Sequence, residues 1–170
     1  MKKFLMIFAF SAVLLGTAIA EPKNKIGVTF PMPVGINYSR QVSDLTELDL
    51  IVGFYDPFSG PAFELRVSPL FKLWNGPVGA VSGKFSLGPG FGFMITSRKN
   101  GNDKTVIGGF NISLPLRFEF QFKIPFNLYL EATPIGVGTV MYTEKTYNDN
   151  FFRCIWYYDW GAALGLRYSF

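Results

Sequence analysis

The stretch Val106–Phe122 alternates from end to end. Its even positions are Val106, Gly108, Phe110, Ile112, Leu114, Leu116, Phe118, Phe120 and Phe122. Its odd positions are Ile107, Gly109, Asn111, Ser113, Pro115, Arg117, Glu119 and Gln121. A period of two belongs to β-strands, whose successive side chains point to opposite faces. Strands in soluble sheets usually run about 5–6 residues. A strand crossing a bilayer needs about 9–11 and more to reach its loops. A pattern this long therefore limits the chain to few architectures, and what its two faces carry decides among them.

The same scheme recurs along the chain. In Ile26–Tyr38 the even face is Ile26, Val28, Phe30, Met32, Val34, Ile36 and Tyr38, opposite Gly27, Thr29, Pro31, Pro33, Gly35 and Asn37. Phe85, Leu87, Phe91, Phe93 and Ile95 stand opposite Lys84, Ser86, Gly88, Gly90 and Gly92. In the closing segment Trp156, Tyr158, Trp160, Ala162, Leu164, Leu166, Tyr168 and Phe170 alternate with Asp159, Gly161, Ala163, Gly165, Arg167 and Ser169. A soluble sandwich would turn the apolar face inward and show water a Lys/Glu-rich face. Here the second face is glycine-rich with scattered charges, which suits the narrow inside of a small barrel. The apolar face then meets lipid.

Composition agrees: 49% of residues are hydrophobic and 18% aromatic, with 19 phenylalanines. The first 20 residues read as a secretory signal peptide, with Lys2 and Lys3, the apolar run Phe4–Leu15 and the small-residue site Ala18-Ile19-Ala20. The domain organisation is thus 1–20 signal peptide and 21–170 one barrel domain. Without Lys2 and Lys3 the chain keeps 14 basic against 12 acidic residues, a balance that does not suggest nucleic-acid binding. Cys154 is the single cysteine, so no internal disulfide is available to an exported chain.

The alternation predicts eight strands, near 26–39, 46–55, 62–74, 77–83, 84–96, 105–122, 127–142 and 155–170. Turn signals separate them at Asp56–Pro61, Asn75-Gly76-Pro77, Lys99–Lys104, Lys123–Phe126 and Glu144–Asn150. In the seventh strand the apolar phase moves from Leu128, Leu130 and Ala132 to Ile135 and Val137, which predicts a bulge at Pro134. The expected fold is an all-β, antiparallel up-and-down transmembrane barrel. An even count puts both termini on one side, the periplasmic one. Segments 40–45, 97–104 and 143–154 are then the outside loops, and Asp56–Pro61 and Lys123–Phe126 the inside turns. Tyr38, Trp74, Tyr142, Trp156, Tyr158, Trp160, Tyr168 and Phe170 lie near strand ends and form the expected interfacial girdles.

On these features the chain resembles small bacterial outer-membrane barrels of the eight-stranded OmpA/OmpX type. The most specific piece is the last strand, Leu164, Leu166, Tyr168 and the terminal Phe170. The resemblance implies that these four residues are the signal read by the barrel-assembly machinery. It also implies residence in the bacterial outer membrane after export through the periplasm, with membrane lipid as the surrounding partner.

The inward face carries the residues that matter for function. Glu64, Arg66, Arg117, Glu119, Glu131 and Arg167 fall at similar depth from the terminal side. They are expected to form one ion-paired layer across a lumen only wide enough for side chains. Asp49, Lys72 and Asp159 are expected as a second, looser group nearer the outside. The layer reads as a plug, and alternatively as a gate or ion-conducting constriction. The chain has no histidine, which removes histidine bases and histidine-bearing metal sites. An acid pair such as Asp49 and Asp159 leaves only a remote enzyme reading. No cofactor is expected, since Gly88-Pro89-Gly90-Phe91-Gly92 lies in an alternating strand with no helix after it.

The leading expectation is a non-enzymatic structural or surface-interaction barrel. Its outer loops would hold Arg40, Asp44, Glu47, Arg98, Lys99, Asp103, Lys104, Glu144, Lys145 and Asp149. Such mixed charge is compatible with lipopolysaccharide or a host surface ligand, and equally with plain solvation. A narrow channel or a hydrophobic-ligand conduit across the outer membrane is the alternative.

Overall fold

The computed structural model describes residues 24–55, 62–100, 103–145 and 150–170. The expected signal peptide at 1–20 and the expected turn at Asp56–Pro61 lie outside the described residues. Twelve strand segments and no helix are found among the described residues: β1 (Asn24–Pro31), β2 (Val34–Gln41), β3 (Thr46–Tyr55), β4 (Ala62–Val78), β5 (Val81–Leu87), β6 (Gly90–Asn100), β7 (Asp103–Ser113), β8 (Leu116–Gln121), β9 (Phe126–Thr133), β10 (Gly136–Lys145), β11 (Asn150–Tyr158) and β12 (Gly161–Ser169).

The twelve segments are eight spans. β5 and β6 continue one another along β4, with Phe71↔Leu87 and Val67↔Phe91 in one register. β7 and β8 do the same along β6 and β5. So do β9 with β10, and β11 with β12. The breaks fall at Gly88-Pro89, Leu114-Pro115, Pro134-Ile135 and Asp159-Trp160, one beside the next around the wall. Three of them carry a proline, which cannot donate to a ladder. Gly88 N–H to Pro115 O (3.3 Å), Leu114 N–H to Ile135 O (2.8 Å) and Asp159 N–H to Gly136 O (2.9 Å) carry the pairing across the seam. At Pro134 the register advances by one residue, from Leu116↔Ala132 to Ser113↔Gly136. This is the expected bulge.

β1 pairs with β12 and the wall closes on itself. Its stagger can be read directly. Stepping from Ile26 through Tyr38, Leu50, Val67, Phe91, Ile112 and Val137 arrives at Tyr158, whereas the true partner of Ile26 is Tyr168. One circuit thus shifts the register by ten residues. For eight strands that sets a tilt of roughly 40° and a lumen filled by side chains.

The count of eight holds, although two strands are placed differently. The expected strand 26–39 is a hairpin, β1 and β2, turning at Met32-Pro33. Five residues, Phe30–Val34, separate the paired Thr29 and Gly35; an odd number keeps the parity, so the alternation runs on through the turn despite Pro31 and Pro33. The expected strand 77–83 contains a turn instead: β4 runs through Asn75-Gly76-Pro77 to Val78, and β5 starts at Val81. Gly79 makes the reversal at φ 62°, a left-handed conformation that suits glycine.

One of these shifts moves a turn between the ends. Asn24 and Phe170 exchange backbone hydrogen bonds at one end. The 42–45 and 122–125 turns are at that same end. The 40–45 segment, expected at the end opposite the termini, is therefore at the end that holds them. Nor are 97–104 and 143–154 loops throughout, since ladders continue to Asn100↔Asp103 and Lys145↔Asn150.

The burial pattern is inside out. Among the described residues seven apolar side chains are buried against twenty polar or charged ones. Phe30, Ile112, Leu130, Val137 and Leu166 are exposed on the outer wall. A small apolar cluster, Ala62, Met94 and Val140 with Ile107 and Tyr157, sits inside toward the end away from the termini.

Candidate functional site

The lumen is crossed by a charged network in two tiers. Nearer the termini, Lys25 Nζ donates to Glu47 Oε2 (2.8 Å) and Glu119 Oε1 (2.8 Å). Lys84 Nζ joins the same two carboxylates, at 2.5 Å and 3.0 Å. Arg167 donates from Nη1 to Glu47 Oε1 (3.0 Å) and from Nη2 to Glu119 Oε2 (2.6 Å). One tier further in, Arg117 grips Asp49 with both Nη atoms at 2.7 Å. Its Nε and Nη2 donate to Glu131 Oε2 at 2.9 and 2.6 Å, and Arg66 pairs with the other oxygen of Glu131. Asn37 and Ser39 also donate to Asp49. The Tyr129 ring lies between the tiers, 4.3 Å from the Arg117 guanidinium and 4.7 Å from that of Arg167.

Register explains part of this arrangement and shear the rest. Lys84↔Glu119, Arg117↔Glu131 and Ser39↔Asp49 are direct cross-strand neighbours, so pairing within the sheet sets them side by side. Lys25–Glu119, Arg66–Glu131, Arg117–Asp49 and Arg167–Glu119 instead span the lumen. A bidentate guanidinium–carboxylate fork suits such a dry span, because it satisfies several donors in one fixed geometry. Tyr129 fits because Gly165 faces it: a Cβ on Gly165 would overlap the ring. Gly165→Ala is therefore expected to destabilise the barrel by about 1–3 kcal/mol, read from urea unfolding in detergent.

Of the residues expected in the charge layer, Arg66, Arg117, Glu119, Glu131 and Arg167 are joined in this network. Glu64 is also buried but lies apart, accepting from Asn111 Nδ2 at 3.4 Å. The second group does not exist as a group. Asp49 belongs to the central network, because its strand enters the lumen at the level of Arg117. Lys72 is half-buried and lines a vestibule of about 620 Å³ at the terminal end, with Lys25, Lys84 and Glu47. Asp159 is buried on the far side, beside Gly136.

Sequence reasoning missed Lys25, Glu47, Lys84 and Tyr129. The expectation for Glu47 is an outside loop, but it is 6% exposed inside the barrel. Its parity with Asp49 is the signal that would have placed it; Lys84 is read on the inward face with Ser86 but is not counted into the charge layer.

The aromatic residues divide between the ends. At the terminal end Tyr168 stacks on Phe170 (6.4 Å) and meets Phe126 edge-on, Trp74 stacks on Phe118, and Tyr38 donates to Asn24. Trp156, Tyr158 and Trp160 are exposed toward the other end, where Tyr142 is half-buried. Leu164 and Leu166 face outward from β12 between its partners β1 and β9.

No protein-family model matches the chain, and no curated protein matches it. Among solved structures the chain is similar to the N-terminal β-barrel domain of Pseudomonas aeruginosa OprF, with a TM-score of 0.56 and 12% identity over 88% of this chain and 96% of that one. It is also similar to a major outer membrane protein from Thermus thermophilus, with a TM-score of 0.55 and 13% identity over 89% of this chain and 100% of that one. The shared property is the fold, that of a small outer-membrane barrel.

Proposed function

We propose, from the premise of that fold, that this protein is an integral outer-membrane barrel with a structural or surface-interaction role and a lumen closed by its own side chains. The supporting observation is the pair Arg117 and Arg167, 1% and 0% exposed, each tied to carboxylates on other strands. A solute would have to break several of these pairs at once, and each buried charge left unpaired is costly. The vestibule at the terminal end is lined in part by Lys25, Glu47 and Lys84 of this barrier. The termini and the 42–45 and 122–125 turns face the periplasm in this reading, and the longer walls of β6, β7, β10 and β11 face outward. Outer-membrane lipid surrounds the wall. The barrel-assembly machinery is the proposed folding partner, recognising Leu164, Leu166, Tyr168 and Phe170. Lipopolysaccharide or a host surface ligand is the proposed class of outside partner.

Planar-bilayer recording tests the closed lumen. Protein that migrates differently on gels before and after boiling is expected to give no steady conductance. Glu119→Ala, which strips Lys25, Lys84 and Arg167 of a shared partner, is expected to give flickering openings. Steady steps from the unaltered protein, unchanged in Glu119→Ala, would establish the channel reading instead.

A further inference from the structure

The vestibule at the terminal end is built over an unequal count of charges. In the tier at its floor three cations, Lys25, Lys84 and Arg167, share two carboxylates, Glu47 and Glu119. That tier is left with one positive charge in excess. The inner tier does not offset it, since Arg66 and Arg117 are matched there by Asp49 and Glu131. Lys72 makes the excess two. It is half-buried, it lines the same cavity, and it has no ion pair or hydrogen bond among the described residues. Donors are left over as well as charge. An ammonium group has three N–H bonds. Lys25 and Lys84 each direct theirs at the same two carboxylates, so each keeps a further N–H, and both residues line the vestibule. Ser86 lines it too, with a side chain 2% exposed and an Oγ that has no hydrogen-bond partner. Register sets these groups side by side. Lys72 on β4 is the direct partner of Ser86 on β5, and Lys84 lies two residues from Ser86 on the same face. Neighbouring like charges on adjacent strands are unfavourable on their own.

We propose that the vestibule binds a small, doubly charged anion of the phosphate class, inorganic phosphate or a phosphate monoester, held by Lys25, Lys72, Lys84 and Ser86. A phosphate group carries about −1.5 to −2 charges at pH 7 and offers several strong acceptor oxygens. It therefore matches both the excess charge and the spare donors, whereas a single carboxylate matches half of that charge. Lysine serves phosphate as a point charge, and its hydrogen bonds to an anion are charge-assisted. Glu47 does not oppose the anion, because Arg167 holds its Oε1 and Lys25 and Lys84 hold its Oε2. At the rim Lys123, Asp44 and the terminal carboxylate of Phe170 are exposed, where water and salt screen them. Entry is from the terminal end: Leu45 and Ile124, 62% and 61% exposed, stand in the turns that border the cavity. Its volume of about 620 Å³ leaves room for the organic part of a monoester. The binding does not depend on whether the lumen conducts.

The test uses protein refolded in a maltoside detergent, free of phospholipid, at low salt. Sodium phosphate, glycerol phosphate, acetate and short-chain phosphatidylglycerol are the probes in isothermal titration. One inorganic phosphate per barrel is expected, with a dissociation constant of about 1 mM or below. Glycerol phosphate is expected to bind as well, and acetate at least ~10-fold more weakly. The lipid headgroup, a phosphodiester with one charge, is expected to bind no better than acetate. Lys72→Gln lies outside the ion-paired network, so it is expected to keep the mobility shift on boiling and to weaken phosphate binding ~10-fold. Phosphate is expected to raise the temperature of that shift in the unaltered protein more than in Lys72→Gln. A folded barrel that takes up no phosphate at about 10 mM overturns the proposal. So does equal affinity for acetate, tighter binding of the lipid headgroup than of free phosphate, or unchanged affinity in Lys72→Gln. If Lys72→Gln does not refold, Ser86→Ala decides in its place, and unchanged affinity there overturns the proposal.

Discussion

Arg117→Ala is expected to destabilise the barrel by about 3–5 kcal/mol, the cost of leaving buried carboxylates without their partner. Arg117 is the sole cation in bidentate contact with Asp49 and one of two on Glu131 among the described residues. Its removal leaves Asp49 with only Asn37, Ser39 and a 3.5 Å approach from Arg167. It also takes away one of the two guanidinium groups flanking Tyr129. Equilibrium unfolding in urea, followed by tryptophan fluorescence and by the shift between boiled and unboiled mobility, measures the loss. Arg117→Lys keeps the charge but not the fork, and is expected to fall between the two. A change below about 1 kcal/mol in Arg117→Ala would mean that water solvates these carboxylates, and the lumen would then be open rather than closed.

Leu164→Arg carries the second large effect, about 2–4 kcal/mol of destabilisation in a bilayer. Leu164 is 44% exposed on the outer wall, halfway along β12 between Phe30 and Leu130. On a water-facing surface the same substitution would be within about 0.5 kcal/mol of neutral. The comparison therefore reads what lies outside the wall. Refolding into lipid vesicles against a urea gradient gives the number directly. A neutral Leu164→Arg in vesicles would remove the membrane assignment of this face. The neighbouring inward position Gly165 supplies the contrast, since its substitution acts through the Tyr129 ring and not through lipid.

How far the sequence could be read followed from which interactions are local. Side-chain parity is local, so the greasy wall of Val106–Phe122 and the inward placement of Arg117, Glu119, Glu131 and Arg167 were legible directly. The bulge at Pro134 was legible too, because an extra residue flips the parity that follows it. The hairpin at Met32-Pro33 was not, because its apolar turn preserves parity and holds no Asn, Asp or Gly. The turn at Gly79-Ala80 was displaced for a related reason: Asn75-Gly76-Pro77 has turn composition but is held in a strand by pairing with Ser82–Lys84. Glu47, at the start of β3, was expected in an outer loop and is buried in the lumen instead.

The sequence by itself determined that this chain is a barrel wall, apolar outside and polar inside, since alternation and strand length depend only on neighbours along the chain. It also put Glu64, Arg66, Arg117, Glu119, Glu131 and Arg167 into the lumen, though not Lys25 or Glu47. Only the tertiary structure decided who meets whom. Asp49 reaches Arg117 and Lys25 reaches Glu119 because eight tilted strands close with a ten-residue stagger, and that stagger sets the relative heights of residues far apart in sequence. Shear is a property of the closed sheet as a whole, and no single strand encodes it.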